Sequence, residues 1–108
     1  MSNEDTINKM LSYCQKIQTY SAGLDEEQFY SSLMPTEACV FCFIQIGELV
    51  TKFDPEFLKA NPQIAWKEIR GVRHRIVHDY ENINLFVLWE IIQNDLPDLI
   101  AKLNRLLP

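Results

Sequence analysis

A short basic segment between residues 67 and 78 holds most of the side chains that could bind an anion or transfer a proton. It carries four basic residues against one acidic residue, a net charge of +3, so that the other 96 residues sum to −8. Within this segment, residues 70–78 contain three of the four arginines and both histidines of the chain. This concentration of basic side chains favours the binding of an anionic ligand. The alternative is a charged helix face in solvent whose acidic partners lie elsewhere in the chain.

Helical spacing decides which of these side chains could act together. At about 100° per residue, His74 and His78 lie one turn apart, Arg73 and Tyr80 lie about 20° out of phase, and Arg73 and His78 lie about 140° apart. Arg73 and His78 could therefore share a ligand only if Arg73 reaches round the helix, if the helix ends near His78, or if a second copy contributes. We expect a two-fold homodimer, which would bring the same patch of both copies to one cleft. Gly71, without a side chain, would permit close helix approach.

The elements that must position this segment are all predicted to be helical. Apolar residues recur at helical spacing after capping residues, and no stretch alternates apolar and polar residues for long enough to predict a strand. In the first half we expect a helix capped by Ser2, a short helix capped by Asp25 and a central helix from Pro35 to Phe53. A short turn from Asp54 to Leu58 follows, then a long helix from about Ile64, and a last helix from about Asn84 to Leu107 with a kink at Pro97. The prediction is an all-α, up-and-down bundle of four or five helices.

Size and composition agree with one folded domain over residues 1–108. The chain has a mass of 12.7 kDa, with 47% hydrophobic and 23% charged residues, which is typical of globular domains. A net charge of −5 argues against coating of nucleic acid by bulk charge but leaves room for a local basic site. The longest uninterrupted apolar run, residues 38–44, is far below the roughly 20 residues that cross a bilayer. With a polar, acidic start and an odd number of cysteines, we expect a cytoplasmic protein with no membrane segment and with reduced thiols.

The segment and its flanks resemble a known family. The ordered set Trp66-x-x-Ile69-x-Gly71-x-Arg73-x4-His78-x-Tyr80 is similar to the signature of HepT-like proteins, which are helical members of the HEPN (higher eukaryotes and prokaryotes nucleotide-binding) superfamily. Further similarities cover nearly the whole chain and lie at Ile46-Gly47-Glu48, at residues 62–66, at residues 87–89 and at residues 95–97.

The resemblance implies a homodimeric ribonuclease toxin of a toxin-antitoxin pair. Its partner would be a minimal nucleotidyltransferase antitoxin that adenylylates the motif tyrosine. Carried over to this chain, Arg73 and His78 would be catalytic, and Tyr80 would be the modified position. Arg70, His74 and Arg75 are candidate accessory contacts to the RNA phosphates, and no metal or cofactor is expected.

Arg73 and His78 have the side-chain types that metal-independent RNA cleavage needs. The reaction requires a base for the ribose 2′-hydroxyl, an acid for the leaving 5′-oxygen and a cation for the charge that develops on the phosphorane. A histidine can perform either proton transfer near neutral pH, and a guanidinium can bind two phosphate oxygens at once. Because each chain supplies one motif histidine, the two copies of His78 in a dimer would divide the two roles. This mechanism predicts a 2′,3′-cyclic phosphate end.

Two positions near the motif raise questions of their own. An adenylyl group on Tyr80, if that side chain shares a face with Arg73, would fill the cleft and neutralise its cation. The family usually has asparagine directly after the motif arginine, whereas this chain has His74. His74 is therefore either a second proton carrier or a basic or structural substitution.

Two other readings of the sequence remain open. Cys39, Cys42, His74 and His78 would make a Cys2His2 zinc site if their helices faced each other. The alternative from another functional class is a helical binding module that partners a nucleotidyltransferase or binds a nucleotide but cuts nothing. The acidic remainder of the chain, which repels long RNA, favours that module.

Overall fold

The computed structural model describes residues 1–108, and every regular element in it is helical, which confirms the all-α prediction. The elements in chain order are α1 (Asn3–Ser21), α2 (Glu26–Ser31), α3 (Leu33–Val50), α4 (Pro55–Ala60), α5 (Trp66–His78), a 3₁₀ turn (Tyr80–Asn82), α6 (Leu85–Glu90), a π-helical turn (Ile91–Asp95) and α7 (Leu96–Arg105).

Local sequence explains where the first helices begin. The Ser2 hydroxyl accepts the backbone N–H of Asp5 at 3.1 Å, and the Asp5 carboxylate accepts the N–H of Ser2 at 3.3 Å. Asp25 and Gln28 form the same reciprocal pair at the start of α2. These capping boxes satisfy N–H groups that have no partner within the helix, so both predicted starts are confirmed.

The last predicted helix is divided by a π-helical turn just before Pro97. The backbone N–H of Leu96 donates to the carbonyl of Ile91, five residues earlier, instead of the usual four. Pro97 has no backbone N–H and stands at the start of α7, where it does not interrupt a regular series of α-helical hydrogen bonds. The expected irregularity at Pro97 is therefore a π-helical turn that joins α6 to α7.

Helix α3 lies at the centre of the fold, between α1 on one side and α5 on the other. It begins at Leu33, two residues before the predicted start at Pro35. Its length and mean hydropathy of 1.4 would suffice to cross a membrane, although half of it is buried inside the bundle. The whole helix is thus more apolar than its longest uninterrupted run indicates, and its burial is that of a core helix.

The three cysteines belong to this core. Cys14, Cys39 and Cys42 are buried and unpaired, and the Cys39 thiol lies 3.8 Å from the carbonyl oxygen of Ile17. Burial raises the pKa of Cys14 and of Cys39 to about 12. It also raises the pKa of Cys42 above its ordinary value. The thiols are therefore protonated at neutral pH and act as small apolar side chains.

Candidate RNA-binding and catalytic face

Helix α5 is anchored at its N-terminal end by an aromatic cluster. The ring of Trp66 lies 5.0 Å from that of Phe53, and its indole N–H donates to the carbonyl of Asn61 at 3.0 Å. Ile76, almost three turns later, is the other buried residue of the helix. With this side fixed in the core, the basic side chains of α5 face solvent. The exposed ones are Lys67, Arg70, His74, Arg75 and His78.

Arg73 lies at the contact between α5 and α3. Its Nε atom is 3.0 Å from a carboxylate oxygen of Glu48. A Cβ atom added at Gly47 would overlap the Cβ of Arg73 and would lie 3.2 Å from its Cγ and Cδ. Only glycine at position 47 leaves room for this arginine. The close approach of helices occurs at Gly47, whereas no atom from outside the local backbone of α5 lies within 4 Å of a Cβ placed at Gly71.

The ion pair between Arg73 and Glu48 is half-exposed, with 35% and 43% of the two side chains accessible. Exposed pairs of this kind contribute about 0 to 1 kcal/mol to stability. The other ion pair of the chain joins Lys102 to Asp98 within α7. The remaining basic residues of α5 therefore have no carboxylate within bonding distance, which argues against a stripe neutralised by acidic partners of the same chain.

His74 and His78 line one groove at the C-terminal end of α5. Their ring centroids are 4.2 Å apart, with the ring planes inclined by 45°. The groove has a volume of about 600 Å³ and runs between the end of α5, the 3₁₀ turn and the start of α6. Its other polar lining residues are Arg75, Asp79, Asn82 and Asn84. Imidazoles, a guanidinium and amides together can donate to phosphate oxygens and transfer protons.

Sequence reasoning did not single out the residues that close this groove. The Asn82 side-chain amide donates to the Asp79 carboxylate at 2.8 Å, and Asn84 accepts the N–H of Val87 at 3.3 Å to cap α6. The feature of the sequence that could have pointed to these residues is the run of turn-forming residues that follows His78.

The structure does not bring all candidate residues together. Arg70, Arg73 and Tyr80 are not part of the groove that His74, Arg75 and His78 line. Within one chain, Arg73 and His78 thus lie on different sides of α5, as their helical spacing predicts.

The helical spacing that placed Tyr80 on the face of Arg73 does not apply here, because it assumed a continuous helix. Helix α5 ends at His78, and Asp79 leaves the helical region with φ −146° and ψ 53°. Tyr80 follows in the 3₁₀ turn, so the seven-residue spacing from Arg73 no longer sets its direction. The residue is 53% exposed to solvent.

The Cys2His2 arrangement is also absent from this fold. Cys39 and Cys42 are buried in the core, whereas His74 and His78 are exposed on the groove. The four side chains do not converge on a common point.

A second groove, of about 340 Å³, lies between α5 and α7 and has mainly apolar walls. Acidic side chains also line it: Glu68, Asp95 and Asp98, with Lys102 as the one basic residue. Repulsion between these carboxylates and phosphates makes this groove unsuited to RNA, so the basic face of α5 is the candidate site.

Comparison with known proteins gives a consistent family. The family model described as "Ribonuclease HepT-like" matches residues 10–106. A protein of Caldanaerobacter subterraneus named "Putative RNase" is 29% identical over 101 residues, which cover 94% of this chain and 90% of that protein. The "Probable ribonuclease HepT" of Thermococcus cleftensis is 24% identical over 105 residues, covering 97% of this chain and 96% of that protein. No solved structure matches the chain significantly.

Proposed function

Since this chain belongs to the HepT-like ribonuclease family, we propose that it is a metal-independent endoribonuclease that cleaves RNA with Arg73 and His78. The observation that carries the proposal is the exposed face of α5, where basic side chains without carboxylate partners surround a histidine at the end of the helix. A site of this kind attracts the RNA backbone locally, although the chain as a whole is acidic.

The active form proposed here is a homodimer. Met34, Phe41 and Glu48 follow one another at intervals of seven residues on α3 and so lie along one side of it. Met34 is 84% exposed and Phe41 is 55% exposed, and Glu48 contacts Arg73. An exposed apolar stripe that leads to the candidate site favours a second copy covering it. A two-fold contact there would place the basic residues of both copies beside one cleft.

In this dimer, the two copies of His78 would exchange protons with the reacting ribose-phosphate. One neutral imidazole takes the proton of the 2′-hydroxyl, whose oxygen attacks the adjacent phosphorus. The other imidazole, protonated, gives its proton to the leaving 5′-oxygen as the P–O5′ bond breaks. Arg73 stabilises the charge on the phosphorane, and the products are a 2′,3′-cyclic phosphate and a 5′-hydroxyl.

The neighbouring basic residues suit an accessory role in RNA binding. Arg75 and His74 line the same groove as His78, and Arg70 precedes Arg73 by about one turn of α5. Contacts from these side chains to flanking phosphates would hold the strand in register without taking part in the chemistry.

We place this ribonuclease in a toxin-antitoxin pair with a minimal nucleotidyltransferase as the antitoxin. The support is the family membership together with the exposure of Tyr80, whose phenol stands in the turn directly after His78. Transfer of an adenylyl group from ATP to the Tyr80 oxygen would release pyrophosphate. It would add a bulky anion beside His78, which blocks the approach of RNA.

The proposal is tested by incubating purified protein with RNA in the presence of a metal chelator. We expect fragments with 2′,3′-cyclic phosphate ends, and a loss of about 10² or more in rate for Arg73→Ala and for His78→Ala. Arg105→Ala, which removes an exposed arginine at the end of α7, is the matched control and should leave the rate unchanged.

Two outcomes would contradict the proposal. Fragments with only 3′-hydroxyl ends and strict dependence on magnesium would exclude this mechanism. Binding of the nucleotidyltransferase without RNA cleavage would favour the non-catalytic binding module.

A further inference from the structure

We propose that Glu48 is a positioning residue for Arg73, and that it holds one edge of the guanidinium so that the other edge binds the scissile phosphate. The inference rests on the proposed ribonuclease function, because it assigns a role to Glu48 in that reaction. Glu48 comes from α3 and would not itself touch the RNA.

The Nε atom of Arg73 is the point at which the guanidinium is held. It is shielded from solvent and has no hydrogen bond of good geometry, and the Glu48 carboxylate, 3.0 Å away, is its charged partner. The Arg73 side chain as a whole is 35% accessible although Nε is shielded, so its exposed part lies elsewhere on the side chain. The Nε end of the guanidinium thus lies beside a carboxylate as an ion pair, and the accessible part of the side chain is left to meet a ligand.

The aliphatic part of Arg73 is fixed as well. Its Cβ, Cγ and Cδ lie against the backbone at Gly47, where the absence of a side chain allows α5 to approach α3 closely. Because Glu48 is the next residue on α3, one turn of that helix restrains both the stem and the Nε edge. A side chain with four rotatable bonds is thereby held before a ligand arrives, which lowers the entropy lost on binding.

This arrangement requires an arginine. A guanidinium offers five N–H donors in a rigid plane, so that it can face a carboxylate with one edge and a phosphate with another. A lysine ammonium is a point charge without this planar fork. Glu48 also neutralises part of the charge of Arg73, so its presence should weaken the binding of RNA while it improves the geometry of the reacting complex.

The test compares Glu48→Gln with Glu56→Gln, each in the wild-type chain and in Arg73→Ala. Both substitutions remove one negative charge and keep the shape of the side chain, and Glu56 is an exposed residue of α4 without an ion pair. We expect Glu48→Gln to lower kcat by about 10- to 100-fold, the loss that a misplaced catalytic group causes. KM should stay the same or fall, because the positive charge of Arg73 is then less neutralised.

The control should leave kcat and KM unchanged, and Glu48→Gln should have no further effect on the residual rate of Arg73→Ala. Thermal unfolding would show that each variant is folded. If the wild-type protein is active and Glu48→Gln and Glu56→Gln have equal kcat, the role of Glu48 is overturned. The ribonuclease assignment is then left intact. A Glu48→Gln effect of the same size in the Arg73→Ala background would also overturn it. If the wild-type protein does not cut RNA, the proposed function fails first.

Discussion

The contact between Gly47 and Arg73 leads to a stability prediction in which the chain supplies its own control. Gly47→Ala places a methyl group where the Cβ of Arg73 already lies, so α3 and α5 must move apart or Arg73 must shift. Gly71→Ala adds the same methyl group within α5, where no other element of the fold lies within 4 Å of it. The two variants therefore change helix propensity equally and differ in packing.

The magnitude follows from two opposing effects. Replacing glycine by alanine inside a helix stabilises the folded state by about 1 kcal/mol. Overpacking a close contact costs about 1 to 3 kcal/mol. We therefore expect Gly71→Ala to be more stable than the wild type by up to about 1 kcal/mol. Gly47→Ala should be less stable than Gly71→Ala by about 1 to 3 kcal/mol.

The free energy of unfolding would be measured by urea titration followed by far-ultraviolet circular dichroism. All variants should be compared at one protein concentration, because the stability of a dimer depends on it. A difference of 1 kcal/mol corresponds to about 4 °C or more in Tm for a domain of this size. Equal stability of Gly47→Ala and Gly71→Ala would refute the close contact and with it the fixed stem of Arg73.

Four further predictions concern individual side chains. His74→Asn should keep most of the RNA cleavage, whereas His78→Asn should lose about 10² or more in rate; a comparable loss in both would make His74 a second proton carrier. On coexpression with a nucleotidyltransferase, mass spectrometry should find one added AMP per chain in the wild type and none in Tyr80→Phe, and AMP on another residue would contradict the assignment. Because burial raises the pKa of Cys14 and Cys39 to about 12, iodoacetamide should alkylate these thiols far more slowly in the folded than in the urea-unfolded protein. The same shifts favour the protonated thiols of the folded state, so the free energy of unfolding should fall as the pH rises above 9, and a constant value there would contradict the shifts.

Much of the fold was predictable because it depends on neighbours in the sequence. Ser2 and Asp25 cap their helices through residues three positions later, and these pairs can be read without a tertiary structure. The apolar residues all around α3 predict a helix covered by others, and α1 and α5 pack on it.

Predictions that extrapolated a regular helix were less successful. Tyr80 was placed by continuing α5 past His78, but the backbone of Asp79 turns away. The region around Pro97 was expected to kink, and the irregularity takes the form of a π-helical turn from Ile91 to Asp95. Helix ends fray and are often irregular, so a regular spacing cannot be extrapolated past them.

The sequence by itself determined the helical class, the starts of α1 and α2 and the basic segment with Arg73 and His78, because these follow from residue type and spacing along the chain. Only the tertiary structure decided that Arg73 meets Gly47 and Glu48, and that His78 shares a groove with Asn82 and the start of α6. The contacts of Arg73 join elements that are distant in the sequence, and the groove needs the turn that ends α5 at His78. They depend on which sides of α3 and α5 pack together, and a hydrophobic pattern defines that side only to within a broad stripe.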